Sequence, residues 1–340
     1  MHSNKGNLRK EKSIKCSGKL QNENLIPLLK EKHYIVKDYE LDGDAPKQFI
    51  KAWFYEKESG IKKVSTSSWV PYIAKTAEKW YPHESVIEFM INRIGEVLGL
   101  NMNEVMLVKA NGQIRFLSRY FLNKDEKLIH GAEICGEHLG DMIFAEEIAN
   151  HKNSSRELFT FEFIRDAIRY VFPNCFETLL QELIKMIVFD ALVGNNDRHF
   201  YNWGVIDTKT KTSKLPTFAP VYDSARGLLW NFDEASIRHL LNVHNTNGRK
   251  LIKYIDQASP RISIEENTQA NHFELIDFIN RYNNEYSNIV KQLATVENEE
   301  KVLTMLKKEF FPFFIPERCK IIELIIKIRF QKIRNINYVT

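Results

Sequence analysis

Two neighbouring segments decide the fold: LVGNNDRHFYNWGVI at residues 192–206 and TFAPVYDSARG at residues 217–227. In the first segment four residues separate Asp197 from Asn202, and the strand-like WGVI follows. In the second segment Asp223 ends a short apolar strand, about 20 residues beyond Asn202. Mg²⁺ prefers hard oxygen ligands of this kind and keeps several waters. The pattern predicts two loops that meet at a metal-bound phosphate, although Asp197 and Asn202 alone also suit a turn stabilised by side-chain hydrogen bonds.

The spacing of Asp197 and Asn202 is typical of a phosphoryl-transfer loop, in which the aspartate accepts the hydroxyl proton and the asparagine ligates magnesium. In such enzymes catalysis consists mainly of positioning and charge neutralisation. The remaining requirements are a lysine for the phosphates, a carboxylate that orients this lysine, and a backbone loop over the nucleotide. Candidates for these groups lie in the N-terminal half of the chain.

Lys75 lies inside the apolar strand candidate VPYIAKTA, where a half-buried lysine has no obvious packing role. Glu88 follows 13 residues later, one turn into a predicted helix at residues 84–98, so an ion pair with Lys75 is geometrically natural. Glu84, at the start of the same helix, is an alternative partner. Taken singly, a solvated strand lysine and a surface glutamate are the more ordinary interpretation.

Two further residues are candidates for the nucleotide site. Gly43, in ELDGDAPKQFIKAWF, lies between two strand candidates and can bring backbone amides against a phosphate, or simply form a hairpin turn. His199 follows Asp197 by two residues. We expect His199 to fix the loop by a hydrogen bond rather than to bind a metal, because no other histidine or cysteine lies at ligand spacing.

The order of predicted elements indicates an α+β, bilobal protein-kinase-like fold, with a small antiparallel-sheet lobe containing one helix and a large, mainly helical lobe. The predicted strands are residues 33–40, 48–56, 70–77, 104–110 and 113–121, with Asn111-Gly112 as a hairpin signal. Helices are predicted at 84–98, 156–171 and 177–193, and in most of the remainder to about residue 335. The expected organisation is a mobile polar arm at 1–30, the small lobe at 31–122 and the large lobe at 123–340.

Composition limits the class of protein without naming a partner. The chain has 340 residues, 44% of them hydrophobic, and a net charge of +4, which is too weak a basicity for a dedicated nucleic-acid binder. Its four cysteines are far apart, which predicts neither a disulfide framework nor a zinc site. No apolar run is long enough for a membrane span, and the N-terminus lacks the apolar core of a signal peptide. We expect a cytoplasmic protein, with secretion as an effector without a signal peptide left open.

At GNNDRHFYNWGVI and FAPVYDSARG the sequence resembles the HipA-like serine/threonine kinase family, closest in architecture to the HipT toxins and the secreted CtkA-type kinases. The resemblance covers about residues 34–230. The segment GDAPKQF resembles the family's phosphate loop, which implies that Gly43 and Lys47 bind phosphate. The segments IAK and EFMINRIGEVLGL favour Glu88 over Glu84, and FLSRYF resembles the hinge, which implies backbone contacts from Ser118 and Tyr120 to adenine.

Two features depart from the family. The stretch YELDGD lacks the serine whose phosphorylation switches off other members, so that regulation is not expected here. The roughly 30 polar N-terminal residues cannot form the extra subdomain of full-length HipA. A separate small antitoxin or regulatory partner is therefore compatible with the resemblance.

These observations predict an ATP- and Mg²⁺-dependent serine/threonine protein kinase, acting as a toxin or secreted effector on a translation factor or host protein. Its candidate catalytic residues are Asp197, Lys75 and Glu88, with Asn202 and Asp223 as metal ligands. Two alternatives stay open. One is a phosphoinositide or small-molecule kinase, because phosphatidylinositol kinases share the Asp-Arg-His triplet; the other is a nucleotide-binding pseudokinase. Direct binding of nucleic acid is not expected.

Overall fold

The computed structural model describes residues 7–38, 46–54, 65–210 and 213–336 of the chain, and it has a bilobal, protein-kinase-like α+β fold. Its strands are β1 (Lys15–Cys16), β2 (Tyr34–Lys37), β3 (Lys47–Ala52), β4 (Val70–Lys75), β5 (Trp80–Tyr81), β6 (Val105–Ala110), β7 (Gln113–Arg119), β8 (Glu126–His130), β9 (Gly204–Thr208) and β10 (Thr217–Phe218).

The helices belong mainly to the large lobe. They are α1 (His83–Val97), α2 (Gly131–Leu139), α3 (Met142–Asn150), α4 (Lys152–Leu158), α5 (Phe161–Val171), α6 (Phe176–Val193), α7 (Glu234–Asn247), α8 (Arg249–Gln257), α9 (His272–Tyr282), α10 (Asn284–Leu293), α11 (Val296–Glu309) and α12 (Pro316–Ile336). Within the described ranges, no helix has both the length and the apolar character needed to cross a bilayer.

The small lobe is built on an antiparallel five-stranded sheet with the order β2-β3-β4-β7-β6. Asn111 and Gly112 join β6 to β7 with φ angles of +46° and +73°. A two-residue hairpin turn needs such positive φ values, which explains why this dipeptide sets the register of the pair. The five predicted strands are present with shorter bounds, and the predicted helix is present as α1, shifted by one residue.

The core of the molecule continues from the large lobe into the small lobe. Helix α6 is buried along most of its length, and its side chains belong to the same apolar cluster as those of α1 and α12. A smaller cluster, which includes Leu8, Tyr34, Ile50 and Leu117, covers the other side of the sheet. Since α1 packs on both the sheet and the large lobe, it is held firmly between them.

The predicted helix at residues 156–171 is instead two helices, α4 and α5, interrupted at Phe159 and Thr160. The Thr160 hydroxyl accepts a hydrogen bond from the backbone N–H of Phe163 at 3.2 Å, as a helix N-cap does. The freed N–H of Phe161 donates to the carbonyl oxygen of Ser263 at 2.9 Å. A partner about 100 residues away in the chain thus stabilises the break.

Residues 7–30 pack against the protein, in contrast to the mobile polar arm expected from their composition. Leu8 is only 1% exposed, and β1 pairs in parallel with β5. The Ser17 hydroxyl lies 2.8 Å from Nδ1 of the buried His83, and the N–H of Gln21 donates to the carbonyl of Phe313 in the large lobe at 2.9 Å. A few apolar and polar anchors, spaced along a mostly polar segment, are sufficient to attach it to both lobes.

Candidate active site

The two segments that dominate the sequence form adjacent loops, the first at residues 194–203 after α6 and the second at residues 222–227 after β10. The backbone N–H of Asn196 donates to the carbonyl of Arg226 at 3.3 Å, and that of Leu228 donates to Val193 at 3.3 Å. A side chain at Gly227 would place its Cβ 2.6 Å from the carbonyl oxygen of Val193. Glycine is therefore required for the two loops to approach this closely.

Arg198 joins both loops from the inside. Its side chain is only 2% exposed and forms a bidentate ion pair with Asp190 of α6, with Nε and Nη2 each 2.9 Å from a carboxylate oxygen. Arg198 also donates to the carbonyls of Asn202 and Tyr222 and to the hydroxyl of Ser224. Because these acceptors flank Asn202 and Asp223, one guanidinium fixes the backbone around both candidate metal ligands.

Asp197 and Asn202 are connected by a hydrogen bond within the first loop. The Asn202 amide nitrogen donates to the backbone carbonyl of Asp197 at 3.1 Å. The Asp197 carboxylate, 15% exposed, forms ion pairs with Nε of Arg226 at 3.0 Å and with Nη2 of Arg261 at 2.8 Å. The catalytic candidate is thus placed between two cations that the sequence did not indicate.

Lys75 connects the small lobe to the second loop. Its Nζ lies 3.2 Å from Oε1 of Glu88 and 2.7 Å from Oδ1 of Asp223. Glu84, the alternative partner, has a different role, since its carboxylate accepts the backbone N–H groups of Lys79 and Trp80 at 3.2 and 3.0 Å. The three charged groups that kinase chemistry would require, one ammonium and two carboxylates, are in contact.

Mutual electrostatics shift the pKa values of these three groups. Burial acts against the charge of Lys75, but the carboxylates of Asp223 and Glu88 raise its pKa overall. Burial also opposes ionisation of Asp223, yet Lys75, with Lys47 and His199, lowers its pKa to about 2. For Glu88, burial and repulsion from Asp223 outweigh the attraction of Lys75 and raise its pKa to about 7. Asp223 is therefore the firmly ionised member of the pair of carboxylates.

Asp223 has a φ angle of +53°, in the left-handed region. Aspartate is one of the few residues other than glycine that adopt this conformation, at a cost of order 1–3 kcal/mol that the surrounding structure must offset. The preceding residues are anchored, since the N–H of Val221 donates to the carbonyl of Asn101 at 2.7 Å and the N–H of Asn103 donates to that of Val221 at 3.0 Å. These contacts hold the strained turn against the end of α1.

Two other predicted nucleotide-site residues, Lys47 and His199, lie near Asp223. Lys47 of β3 pairs in register with Lys75 of β4, so both side chains leave the same face of the sheet. His199 accepts the N–H of Tyr201 at Nδ1 at 3.3 Å, and burial lowers its pKa, which favours the neutral ring. This hydrogen bond lies within the first loop. Gly43 lies outside the described residues.

The hinge candidates are at the end of β7. The hydroxyl of Ser118 accepts from Asn103 at 2.8 Å. The N–H of Tyr120 donates to the carbonyl of Pro71 at 3.0 Å. Because this N–H is already bonded, a hinge contact from Tyr120 to a purine would use the carbonyl oxygen of Tyr120. Of the two backbone groups that the family resemblance implies at this residue, the carbonyl is therefore the candidate.

The donor set at the two loops fits a magnesium ion bound together with phosphate. Asp223 supplies an ionised carboxylate, and the orientation of Asn202, whose amide nitrogen is hydrogen-bonded to Asp197, leaves its oxygen as the donor for a ligand. Mg²⁺ is commonly held by one or two such protein oxygens plus phosphates and waters. The described ranges contain no cluster of three or more histidine, cysteine or acidic residues that could hold a metal by themselves.

Sequence reasoning missed four functional candidates: Asp190, Arg198 as a connector, Arg226 and Arg261. Asp190 carries a local signal, because an aspartate inside the apolar run LIKMIVFDALV must have a buried partner. Arg261 has no such local sequence signal, because 64 residues separate it from Asp197 and its loop contains no recognisable motif.

The protein belongs to the kinase-like class. Three features define this class here: the antiparallel small-lobe sheet, the helical large lobe, and the contact of Lys75 with Glu88 and Asp223. The family model of the HipA-like C-terminal domain matches residues 40–298, which is most of the chain. The chain therefore belongs to the family of HipA-like kinases.

Similar proteins agree with this placement. The chain is 23% identical over 257 residues to the serine/threonine-protein kinase CtkA of Helicobacter pylori, which covers 73% of this chain and 74% of that protein. It is 26% identical over 160 residues to a putative kinase of Haemophilus influenzae, over 45% and 44% of the two chains. The crystal structure of the H. pylori proinflammatory kinase CtkA aligns with a TM-score of 0.67 and 15% identity over 92% of this chain and 97% of that chain, which shows a common fold.

Proposed function

We propose that this protein is an ATP- and Mg²⁺-dependent kinase that phosphorylates serine or threonine in proteins. The observation that carries the proposal is the contact of Lys75 with both Glu88 and Asp223, next to a loop that presents Asp197. Separately these residues suit ordinary structural roles. Their convergence at the junction of the two lobes supplies the groups that phosphoryl transfer requires.

In the proposed mechanism each residue has one task. Lys75, oriented by Glu88, binds the α- and β-phosphates, assisted by Lys47 on the same face of the sheet. Asp197 orients the acceptor hydroxyl and accepts its proton. Asn202 and Asp223 would hold magnesium, which would neutralise charge that develops on the phosphates. Arg198 keeps both loops at the correct separation.

Further parts of the proposal rest on the family resemblance. We place the end of the small lobe near residue 122, with adenine at the backbone of Ser118 and Tyr120. A role as a toxin or secreted effector, acting on a translation factor or host protein and controlled by a small partner, is carried over in the same way.

The experiment that tests the proposal is transfer of the γ-phosphoryl group from labelled ATP to proteins of a cell lysate, followed by mapping of the labelled sites. Asp197→Asn is expected to retain ATP binding and to lose transfer, because its amide cannot accept the proton. Asp277→Asn is the matched control, since Asp277 lies in an exposed ion pair with Arg281 on α9. Full activity of the Asp197→Asn enzyme would refute the assignment. Labelling of phosphoinositide vesicles but not of protein would favour a lipid kinase.

A further inference from the structure

The Asp197 carboxylate lies in an excess of positive charge. Among the described residues, Arg226 and Arg261 both direct their ion pairs to this one carboxylate, at 3.0 and 2.8 Å. Lys152 of α4 is close as well: burial lowers its pKa, Arg156 and Arg261 lower it further, and Asp197 partly opposes them. The single negative charge of Asp197 balances only one of these three cations. The cluster of Arg226, Arg261 and Lys152 therefore has positive charge available for another anion.

The loop that carries Arg261 is held by contacts that do not involve Asp197. The loop at residues 258–271 is fastened by the buried Arg156, which donates to the carbonyls of Pro260, Thr268 and Ala270. The hydroxyl of Ser263 in this loop donates in turn to the carbonyl of Arg156. Arg261 is thus presented from a rigid support, and its Nε has no hydrogen-bond partner among the described groups.

Arg226 is positioned independently, from the second loop. Its backbone carbonyl accepts the N–H of Asn196, and its guanidinium lies over the ring of Trp230 at 5.3 Å from the ring centroid. The side chain remains 35% exposed, against 17% for Arg261. Two guanidiniums that approach the same point from separate supports are suited to bind a carboxylate or phosphate in bidentate fashion.

We propose that Arg226 and Arg261, with Lys152 behind them, form a substrate-selecting anion site that binds an acidic or phosphorylated side chain next to the acceptor serine or threonine. This inference rests on the proposed kinase function, since it assigns the group that lies beside Asp197 in the substrate. When the acceptor hydroxyl approaches Asp197, a neighbouring anion on the same peptide comes within reach of both guanidiniums. The anion then takes over the charge of the arginines, which leaves the Asp197 carboxylate available to the hydroxyl.

The first test is direct binding to the purified full-length protein without nucleotide. Three fluorescent peptides would each carry one acceptor serine and, two positions away, serine, glutamate or phosphoserine. We expect the phosphoserine peptide to bind at least about tenfold more tightly than the serine peptide, with glutamate between them, because hydrogen bonds to an ionised acceptor are stronger than those to a neutral hydroxyl. Equal affinity for all three peptides would overturn the inference, whatever the enzyme's activity.

The variants separate selection from other roles. Arg261→Gln is expected to abolish the preference, and Arg281→Gln, which removes an exposed arginine from α9, is expected to leave it intact. Asp197→Asn is expected to tighten binding of the phosphoserine peptide, because the cations lose the carboxylate that competes for them. An Asp197→Asn protein that bound the phosphoserine peptide no more tightly than the wild type would count against the anion site.

A second measurement, transfer from ATP to the same peptides, distinguishes the remaining outcomes. An equal loss of rate for every peptide in Arg261→Gln, with the preference unchanged, would assign Arg261 to the transferring phosphoryl group and overturn the selection role. Phosphoserine-selective binding without transfer to any peptide would support the anion site and count against the proposed kinase function. Transfer only to phosphoinositide vesicles would overturn the assignment of a peptide substrate.

Discussion

Arg198 offers the sharpest test of how the site is assembled, because it links both loops and is almost completely buried. Truncation to alanine would leave the Asp190 carboxylate buried, and among the described residues the Asn195 amide, 2.9 Å away, would be its remaining side-chain partner. Removal of one member of a buried ion pair costs about 3–5 kcal/mol. Since a domain of ordinary stability has about 5–15 kcal/mol, Arg198→Ala is expected to unfold at a clearly lower denaturant concentration.

Arg198→Lys keeps the charge but loses the geometry. An ammonium can still pair with Asp190, but it cannot at the same time reach the carbonyls of Asn202 and Tyr222 and the hydroxyl of Ser224. We expect a stability loss of about 1–3 kcal/mol, from the hydrogen bonds left unmade. We also expect a fall in kcat of about 100-fold, because a displacement of about 1 Å at the reacting groups can cost that much.

The decisive variant replaces both charges, as Asp190→Leu with Arg198→Met. A well-packed apolar pair of similar volume often restores or exceeds the stability of a buried ion pair. The carbonyls of Asn202 and Tyr222 and the hydroxyl of Ser224 still lose their donor. We therefore expect this double variant to be more stable than Arg198→Ala, to stay about 1–3 kcal/mol below the wild type, and to retain the kcat defect of Arg198→Lys. The assay combines chemical denaturation, ATP binding and transfer kinetics. Arg281→Lys, in an exposed pair, is the control and should stay within about 0.5 kcal/mol. Wild-type turnover in Arg198→Lys or in the double variant would refute the positioning role.

Three further predictions concern the supports of the site. Leu8→Ala should cost about 2–4 kcal/mol in chemical denaturation, whereas Ile14→Ala, at a 67% exposed position, should cost almost nothing; equal losses would mean that residues 7–30 are not packed as described. Burial of His83, together with the nearby charge of Arg318, lowers the pKa of its ring to about 3. The ring is therefore protonated first in the unfolded chain, as the pH falls below about 6.5. Stability contributed by the neutral ring should therefore be full above that pH and decline by up to about 1.4 kcal/mol per unit below it, and a wild-type acid profile in His83→Asn would contradict this. Gly227→Ala should separate the two active-site loops and lower kcat, because the added Cβ meets a backbone carbonyl. Gly140→Ala is the control, since its Cβ would meet no atom within 4 Å. It should lower the free energy of unfolding by only about 1–2 kcal/mol, because of its left-handed backbone, and leave kcat unchanged.

The elements of both lobes could be predicted wherever local chemistry specifies the structure. The Asn111-Gly112 hairpin follows from the positive φ values that only a few residues adopt, and α6 follows from an apolar run of helical length. Helix α4 was merged with α5 because the break at Thr160 depends on a contact with Ser263, which no local pattern indicates. The packing of residues 7–30 was missed for a similar reason, since isolated anchors such as Leu8 gain their burial from the distant sheet.

For the candidate site, the sequence by itself determined which chemical groups are present: the lysine, the paired carboxylates and the Asp197–Asn202 spacing follow from residue identity and order. Only the tertiary structure decided their partners. In the folded protein Lys75 forms ion pairs with Glu88 and Asp223 and not with Glu84, and Arg261 reaches Asp197 from another loop. The physical reason is that Coulombic contacts act through space over a few ångströms, whereas sequence patterns report only the hydrogen bonds and periodic burial of neighbouring residues.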